Sequence, residues 1–166
     1  MSKLYGRITD NDWNTPEYVW DYLIDFEIIP RDKTIWMPFY NDGECGNYLT
    51  KKNYNIIHKN EDFFQQDYGD IVIDNPPYMD KSIPNVKLRI MERLIKLNKP
   101  FMLLFPSSTI QTKYFHKLVH KHENFQLIIP KEKYNFEKHK GDKTKCLFYT
   151  LWICWNMNFD SDYYII

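Results

Sequence analysis

The strongest constraint on the fold is a short apolar run that ends in two consecutive prolines. Residues 71–73 read Ile-Val-Ile, a run without alternation that is typical of a strand buried on both faces of a sheet. The prolines at 76–77 fix two backbone torsions, donate no N–H, and bias Asn75 away from helical geometry. We therefore predict a central strand over residues 70–74, followed at once by a rigid loop. Open α/β sheets bind ligands at such loops, beyond the carboxyl ends of their strands.

This loop presents three groups that suit one chemical task. The side-chain oxygen of Asn75 and the carbonyl of Pro76 can both accept hydrogen bonds from a planar amino group. Tyr78 can stack on the ring that carries the amine. Two acceptors orient such a nitrogen and stabilise the positive charge that develops as it attacks an electrophile. The alternative is a structural turn after a strand.

The residues from Asp74 to Tyr78 read Asp-Asn-Pro-Pro-Tyr, which resembles the catalytic motif of amino-group methyltransferases that use S-adenosylmethionine. The resemblance is greatest to the N6-adenine nucleic-acid methyltransferases. Enzymes that methylate guanine N2 or protein glutamine carry the same tetrapeptide, so the motif indicates the chemistry better than the substrate. The resemblance implies catalytic roles for Asp74, Asn75, Pro76 and Tyr78, with Asp74 positioning the loop rather than acting as a base.

Length and composition favour one intracellular domain. The 166 residues are enough to bury a core, and the three cysteines lack CxxC spacing, which favours a reducing compartment over disulfides or a zinc site. No metal is predicted, because the five histidines form no ligand pattern. Without a membrane-length apolar run or a secretory leader, we expect a soluble cytoplasmic protein with no membrane association. For a virus or phage, that location would be the interior of the host cell.

Charge is divided unevenly along a chain whose net charge is zero. Residues 1–80 hold 7 Lys/Arg and 15 Asp/Glu, a net charge of −8, whereas residues 81–145 hold 15 Lys/Arg and 5 Asp/Glu, a net charge of +10. A basic half beside an acidic half suggests a polyanion bound on one side. Two solvated charged faces are the alternative.

Apolar periodicity and turn residues predict strands that alternate with helices. Thr15 and Pro16 suit the N-cap and the first position of a helix over residues 16–27. The other predicted helices cover residues 84–97 and 110–122. The predicted strands cover residues 34–39, 54–58, 70–74, 101–105, 125–129 and 146–155, with a glycine-containing loop at 40–46 and a short extended piece at 61–64.

This order predicts a compact single α/β domain over residues 13–166, preceded by a loose arm at 1–12. Strand-helix-strand units favour parallel pairing with helices on both faces of the sheet. The strand at 146–155 follows the one at 125–129 without a helix, and such a connection requires an antiparallel pair. The pattern resembles the Rossmann-like class I methyltransferase fold, a mostly parallel sheet with one late antiparallel strand.

The resemblance also implies an S-adenosylmethionine site in the first half of the chain. The loop over residues 38–46 would hold the methionine part, where glycine lets the backbone approach closely. The helix that starts near Thr15 would present its N-terminus to the cofactor carboxylate, although an ordinary helix cap is the alternative. The residues implied here are Trp13, Thr15, Pro38, Phe39, Gly43 and Gly46.

The chain departs from the family pattern at two acids. Met37 stands where an acid often precedes the loop, and His58 ends the second strand, where an acid normally binds the ribose hydroxyls. Either the ribose is held differently here, by Asn60 or Glu61 beside His58, or the cofactor binds weakly. Asp62 would accept from the cofactor's adenine amino group and Phe63 would pack on its ring. A loop acid before core aromatics is the alternative.

A basic segment over residues 131–145 is the predicted nucleic-acid contact. It combines six lysines with two aromatic residues, which suits phosphates beside unstacked bases. A solvated hairpin loop is the alternative. The predicted contacts are Lys81, Arg89, Lys133, Tyr134, Lys138, Lys140, Lys143 and Lys145.

The predicted function is methyl transfer from S-adenosylmethionine to the N6 amine of adenine in DNA, or in RNA, with the base flipped out or in a single strand. Two alternatives stay open: methylation of another planar amine (guanine N2 or protein glutamine), and an inactive methyltransferase-fold binding subunit, which the two missing acids would favour. The stretches at 1–12 and 131–145 are too short for a recognition domain. Sequence specificity would therefore be low, or would come from a homodimer or a partner subunit.

Overall fold

A computed structural model describes residues 13–136, residue 138 and residues 146–166, and these form four helices around a seven-stranded sheet. The predicted arm at 1–12 lies outside the described residues. The helices are α1 Glu17–Asp25, α2 Glu44–Lys51, α3 Val86–Lys96 and α4 Lys113–Lys121. The strands are β1 Thr34–Trp36, β2 Asn55–Ile57, β3 Ile71–Asp74, β4 Phe101–Pro106, β5 Phe125–Ile129, β6 Thr150–Trp155 and β7 Tyr163–Ile165.

The sheet has the order β2-β1-β3-β4-β6-β5-β7 and is mostly parallel. The first four strands in this order pair parallel, β6 is antiparallel to both β4 and β5, and β7 pairs parallel with β5. The predicted antiparallel pairing of the strand near 150 with the strand at 125–129 is therefore confirmed. The reversal follows from a direct connection, because a parallel pair would need a crossover.

Helices cover both faces of the sheet, as the alternation of strands and helices predicts. One core contains the apolar faces of α1 and α2, and the other contains those of α3 and α4. Strands β3 and β6 contribute side chains to both cores, so every residue of these two strands is buried. This two-sided burial explains why their sequences are continuous apolar runs rather than alternating ones.

Several predicted boundaries need correction. The stretch at 61–64 contributes to a 3₁₀ turn, Phe63–Gln65, rather than to an extended piece, because the Asp62 carboxylate caps that turn. The loop at 40–46 ends in an unpredicted helix, α2. The strand predicted at 146–155 starts only at Thr150, because its partner strand β4 ends at Pro106 opposite that residue.

Two further differences concern the ends of elements. Strand β1 stops at Trp36 rather than at residue 39, since Pro38 has no N–H to continue the ladder. The helix predicted over 110–122 divides into a 3₁₀ segment, Ser107–Gln111, and α4, whose N-cap Thr112 accepts a hydrogen bond from the N–H of Phe115. Strand β7 was not predicted. Among the described residues, no helix is long and apolar enough to cross a membrane.

Candidate active site

Asp74 joins the two loops that leave β1 and β3. Its carboxylate accepts the N–H of Phe39 at 2.7 Å with Oδ2 and the N–H of Asn75 at 2.8 Å with Oδ1. The side chain is 3 % exposed, and burial raises its pKa well above the usual range, opposed by these two hydrogen bonds. Because both oxygens face backbone N–H groups, the geometry supports a positioning role for Asp74.

The Asn75 amide links the candidate catalytic loop, residues 74–78, to the segment before α1. Its Nδ2 donates to Thr15 Oγ1 at 3.1 Å and to the Trp13 carbonyl at 3.3 Å, while its Oδ1 accepts from the Tyr78 hydroxyl at 2.8 Å. An amide oxygen has two lone pairs, so Oδ1 can accept a second hydrogen bond. The tertiary structure thus brings together residues 62 positions apart in the chain.

Tyr78 is half-buried in an aromatic cluster that includes a residue sequence reasoning missed. Its ring lies 5.5 Å from that of Phe148 in an edge-to-face arrangement, and Phe148 also packs edge-on against Trp13 at 6.2 Å. Burial raises the pKa of Tyr78 well above its usual range, so its hydroxyl remains a donor. The sequence does not indicate a role for Phe148, because it comes close to Trp13 and Tyr78 only in the folded chain, just before β6.

The loop after β1 is held by a polar network around Asn14, which sequence reasoning also missed. Asn14 donates to Asp42 Oδ2 at 2.7 Å, and its own side-chain oxygen accepts from Asn41. Gly43 has φ of +85° at the start of α2, and a Cβ there would meet the Tyr40 hydroxyl at 2.7 Å. Gly43 is therefore required by the backbone of the loop itself, before any ligand is considered.

Gly46 and His58 are in direct contact, which gives both a structural role. A Cβ on Gly46 would come within 2.3 Å of the His58 ring. The ring donates from Nδ1 to the Met37 carbonyl at 2.7 Å and stacks on Tyr40 at 4.7 Å. Burial lowers the pKa of His58, so the imidazole is neutral near pH 7. The predicted ribose contact of His58 stays a prediction.

The structure of the segment after β2 corrects the predicted cofactor contact of Phe63. Phe63 is fully buried, with its ring stacked on Trp36 at 5.6 Å and against Phe39 at 5.2 Å, so it belongs to the core and presents no face to a ligand. Phe39 is itself buried at 6 % exposure. Asp62 is buried and accepts the N–H of Phe64 at 3.1 Å.

A cleft of about 370 Å³ lies between the first turns of α1 and α2. Thr15 lines it, but the N-cap of α1 is Pro16, so Thr15 is not the helix cap that the sequence predicted. The cleft combines the N-termini of two helices with the side chains of Glu17 and Glu44. Helix N-termini favour carboxylates and acids favour ammonium groups, so this cleft suits the amino-acid end of a ligand.

Burial raises the pKa of Cys45, which lines this cleft, to about 12. The thiol therefore stays protonated and is unsuited to nucleophilic attack.

In the structure, the predicted nucleic-acid contacts differ in their exposure and in what they contact. Tyr134 is 2 % exposed and packs edge-on against Tyr18, so the prediction that it stacks on bases is wrong. Three predicted cations lie over aromatic rings within the protein, and Lys81 is exposed. These pairs are Arg89 over Phe64, Lys133 over Tyr149 and Lys138 over Trp13. The remaining predicted contacts, Lys140, Lys143 and Lys145, lie outside the described residues.

Comparison with known proteins adds no relative: no family model, no curated protein and no solved structure matches the chain significantly. Within the part of the chain that the structure describes, no group of three or more His, Cys, Asp or Glu side chains could hold a metal ion. The function of the site therefore has to be inferred from its geometry and chemistry.

Proposed function

We propose that the chain is an S-adenosylmethionine-dependent methyltransferase that acts on the N6 amine of adenine in DNA or RNA. The placement of Asn75 carries the proposal. Its amide is fixed by Thr15 and Trp13 at the carboxyl end of an inner parallel strand, and its oxygen keeps one acceptor position for a substrate amine. The loop Asp-Asn-Pro-Pro-Tyr thus has the rigidity that orienting a planar amine requires.

The architecture supports a Rossmann-like methyltransferase fold. The parallel strands β1 and β3 end at the same edge of the sheet, and Asp74 ties the loops that follow them. Among the described strands, β6 alone is reversed, and it lies between β4 and β5 near the end of the chain. These features agree with a mostly parallel sheet and one late antiparallel strand.

Residues around the cleft between α1 and α2 fit the cofactor's methionine end. Its carboxylate suits the helix N-termini beside Thr15, and its ammonium group suits Glu17 or Glu44 in the same cleft. The loop over residues 38–43 is joined to Asp74 by the N–H of Phe39, and Asp62 remains the residue proposed for the adenine amino group. When bound, the cofactor would supply an electrophilic methyl group on a sulfonium leaving group.

The chain's own residues would position the target base and exclude water. Asn75 Oδ1 would accept one N–H of the adenine amine, which fixes the direction of the nitrogen lone pair. Tyr78, Trp13 and Phe148 would form an apolar wall around the base. The methylated nitrogen releases its extra proton to solvent water once the base leaves the site, so no residue needs to act as a base.

A non-catalytic methyltransferase-fold subunit is the second candidate, and the surroundings of His58 favour it. The side chain at the predicted ribose position is a neutral imidazole already bonded to the Met37 carbonyl and stacked on Tyr40, rather than an acid. Methylation of guanine N2 or of protein glutamine would use the same Asn75 geometry. Transfer to adenine-free oligonucleotides and to a glutamine-containing protein would distinguish these reactions from adenine methylation.

Transfer of a labelled methyl group from S-adenosylmethionine to single-stranded DNA and RNA tests the proposal. Asn75→Ala should lower the rate about 10²-fold or more, since one transition-state contact is lost, with cofactor affinity nearly unchanged. Tyr78→Phe keeps the ring and should stay within a few-fold of wild type, and exposed Asn47→Ala is the matched control.

The outcomes separate the candidates. Equal rates for wild type and Asn75→Ala would show that the amide is structural. Cofactor binding by calorimetry without any transfer would favour the second candidate. Absence of both binding and transfer in the wild type would defeat the methyltransferase proposal.

A further inference from the structure

We propose that the cleft between α3 and α4 binds the single-stranded nucleic acid that flanks the target base. The proposal rests on the proposed function for its substrate class, but it uses residues outside the candidate active site. The cleft has a volume of about 490 Å³ and lies on the face of the sheet opposite α1 and α2.

The first observation is a stripe of lysines along α4. Lys113, Lys117 and Lys121 are all exposed and follow each other at intervals of four residues, which places them on one face at a spacing of about 6 Å. The helix contains no acid. The salt bridges among the described residues use Lys33, Lys52 and Lys99, so none neutralises this stripe.

The second observation is the composition of the cleft itself. Lys96 from α3 lines it together with Lys117 and Lys121 from α4, and Glu92 is the single acid among the described residues of its lining. Its apolar part is formed by Leu88, Ile95 and Leu118. A single strand exposes both phosphates and base faces, which match a cationic rim and an apolar floor. In a duplex the base faces are stacked on one another, so they could not contact the apolar residues of the cleft.

The third observation is the position of the stripe relative to the catalytic loop. Strand β4 lies parallel beside β3, with Leu103 opposite Asp74, and leads through the 3₁₀ segment Ser107–Gln111 into α4. The Ser107 N–H donates to the Tyr149 carbonyl at 2.8 Å, and Tyr149 follows Phe148, which contacts Tyr78. The lysine stripe therefore begins at the edge of the sheet that holds the catalytic loop and runs away from it.

The salt dependence of binding to a long, labelled single-stranded oligonucleotide tests the cleft. Each lost phosphate contact should reduce the slope of log K against log salt by about 0.7, measured between about 50 and 200 mM by fluorescence anisotropy. Changing Lys113, Lys117 and Lys121 to Gln should flatten the slope by about 2, and Lys96→Gln alone by about 0.7. The matched control changes Lys33, Lys51 and Lys59 to Gln, which removes the same charge from the acidic half and should leave the slope unchanged.

Methyl transfer to a short oligonucleotide that ends near the target adenine tests the proposed function separately. Loss of slope in the cleft variants, but not in the control, supports the cleft whether or not transfer is seen. An unchanged slope in both cleft variants overturns it, even if the wild type is fully active. If the same variants instead lose binding to polyglutamate while keeping the nucleic-acid slope, the cleft belongs to an acidic protein and our proposal is wrong.

Discussion

A carboxylate whose two oxygens each accept a backbone N–H cannot be replaced by its amide without loss. Asp74 is in this position, between the N–H groups of Phe39 and Asn75. An asparagine would satisfy one of them and turn its own NH₂ toward the other. The exposed Asp70 differs, since its contact with the Thr34 N–H, at 2.7 Å, needs only one oxygen.

Asp74→Asn should therefore lower the free energy of unfolding by about 1–3 kcal/mol, the range for a buried polar group left unsatisfied. It should also weaken the proposed binding of S-adenosylmethionine, because the loop after β1 loses one of its contacts with Asp74 of β3. Urea denaturation and calorimetry measure the two effects, and Asp70→Asn is the control expected to change little. Wild-type stability in Asp74→Asn would show that the two loops are held by other contacts.

At the scale of elements, α2 can pack close to the end of β2 because Gly46 has no side chain. The His58 ring occupies the place where a Cβ of Gly46 would be, and the ring is fixed by the Met37 carbonyl and by Tyr40. Helix propensity alone would favour alanine over glycine at this helical position by about 1 kcal/mol. Packing of the helix against the strand end therefore outweighs propensity.

Gly46→Ala should destabilise the protein by about 1–3 kcal/mol, the usual cost of overpacking a buried contact. In a background of His58→Ala, where the ring is absent, the same change should cost little or stabilise. A double-mutant cycle by urea denaturation gives the coupling between the two positions. Additive effects of the two changes would mean that the helix and the ring adjust independently.

At the scale of the whole molecule, half-buried His58 and buried Asp74 give the free energy of unfolding opposite pH dependences. The folded-state pKa of His58 lies below its ordinary value of 6.5, so below that pH the unfolded chain takes up a proton that the folded chain does not. Stability from the neutral imidazole is therefore lost as the pH falls through this window. The pKa of Asp74 lies above its ordinary value of 3.8, so its contribution is lost as the pH rises from there.

His58→Asn isolates the first of these effects, because its amide can still donate to the Met37 carbonyl but cannot take up a proton. Between about pH 7.5 and 5.5 the wild type should lose stability faster than the variant, by at most about 1.4 kcal/mol per pH unit. Unfolding free energies from urea titrations at each pH measure the difference. Parallel curves for the two proteins would show that His58 titrates normally in the folded state.

The sequence alone was sufficient to predict the buried strand at β3, the loop that begins at its prolines, the helix α1 and the antiparallel pairing of β6 with β5. These features depend on local apolar patterns, on proline geometry and on connection length, all of which are local properties of the chain. The tertiary structure decided what is near Asn75. Thr15 contacts Asn75 and Phe148 contacts the neighbouring Tyr78, both from distant positions in the chain, whereas Phe63 and Tyr134 are buried in the core. Burial and contact across the sheet depend on how all elements pack together, so an aromatic or acidic residue in the sequence does not reveal whether its side chain faces a ligand or the protein interior.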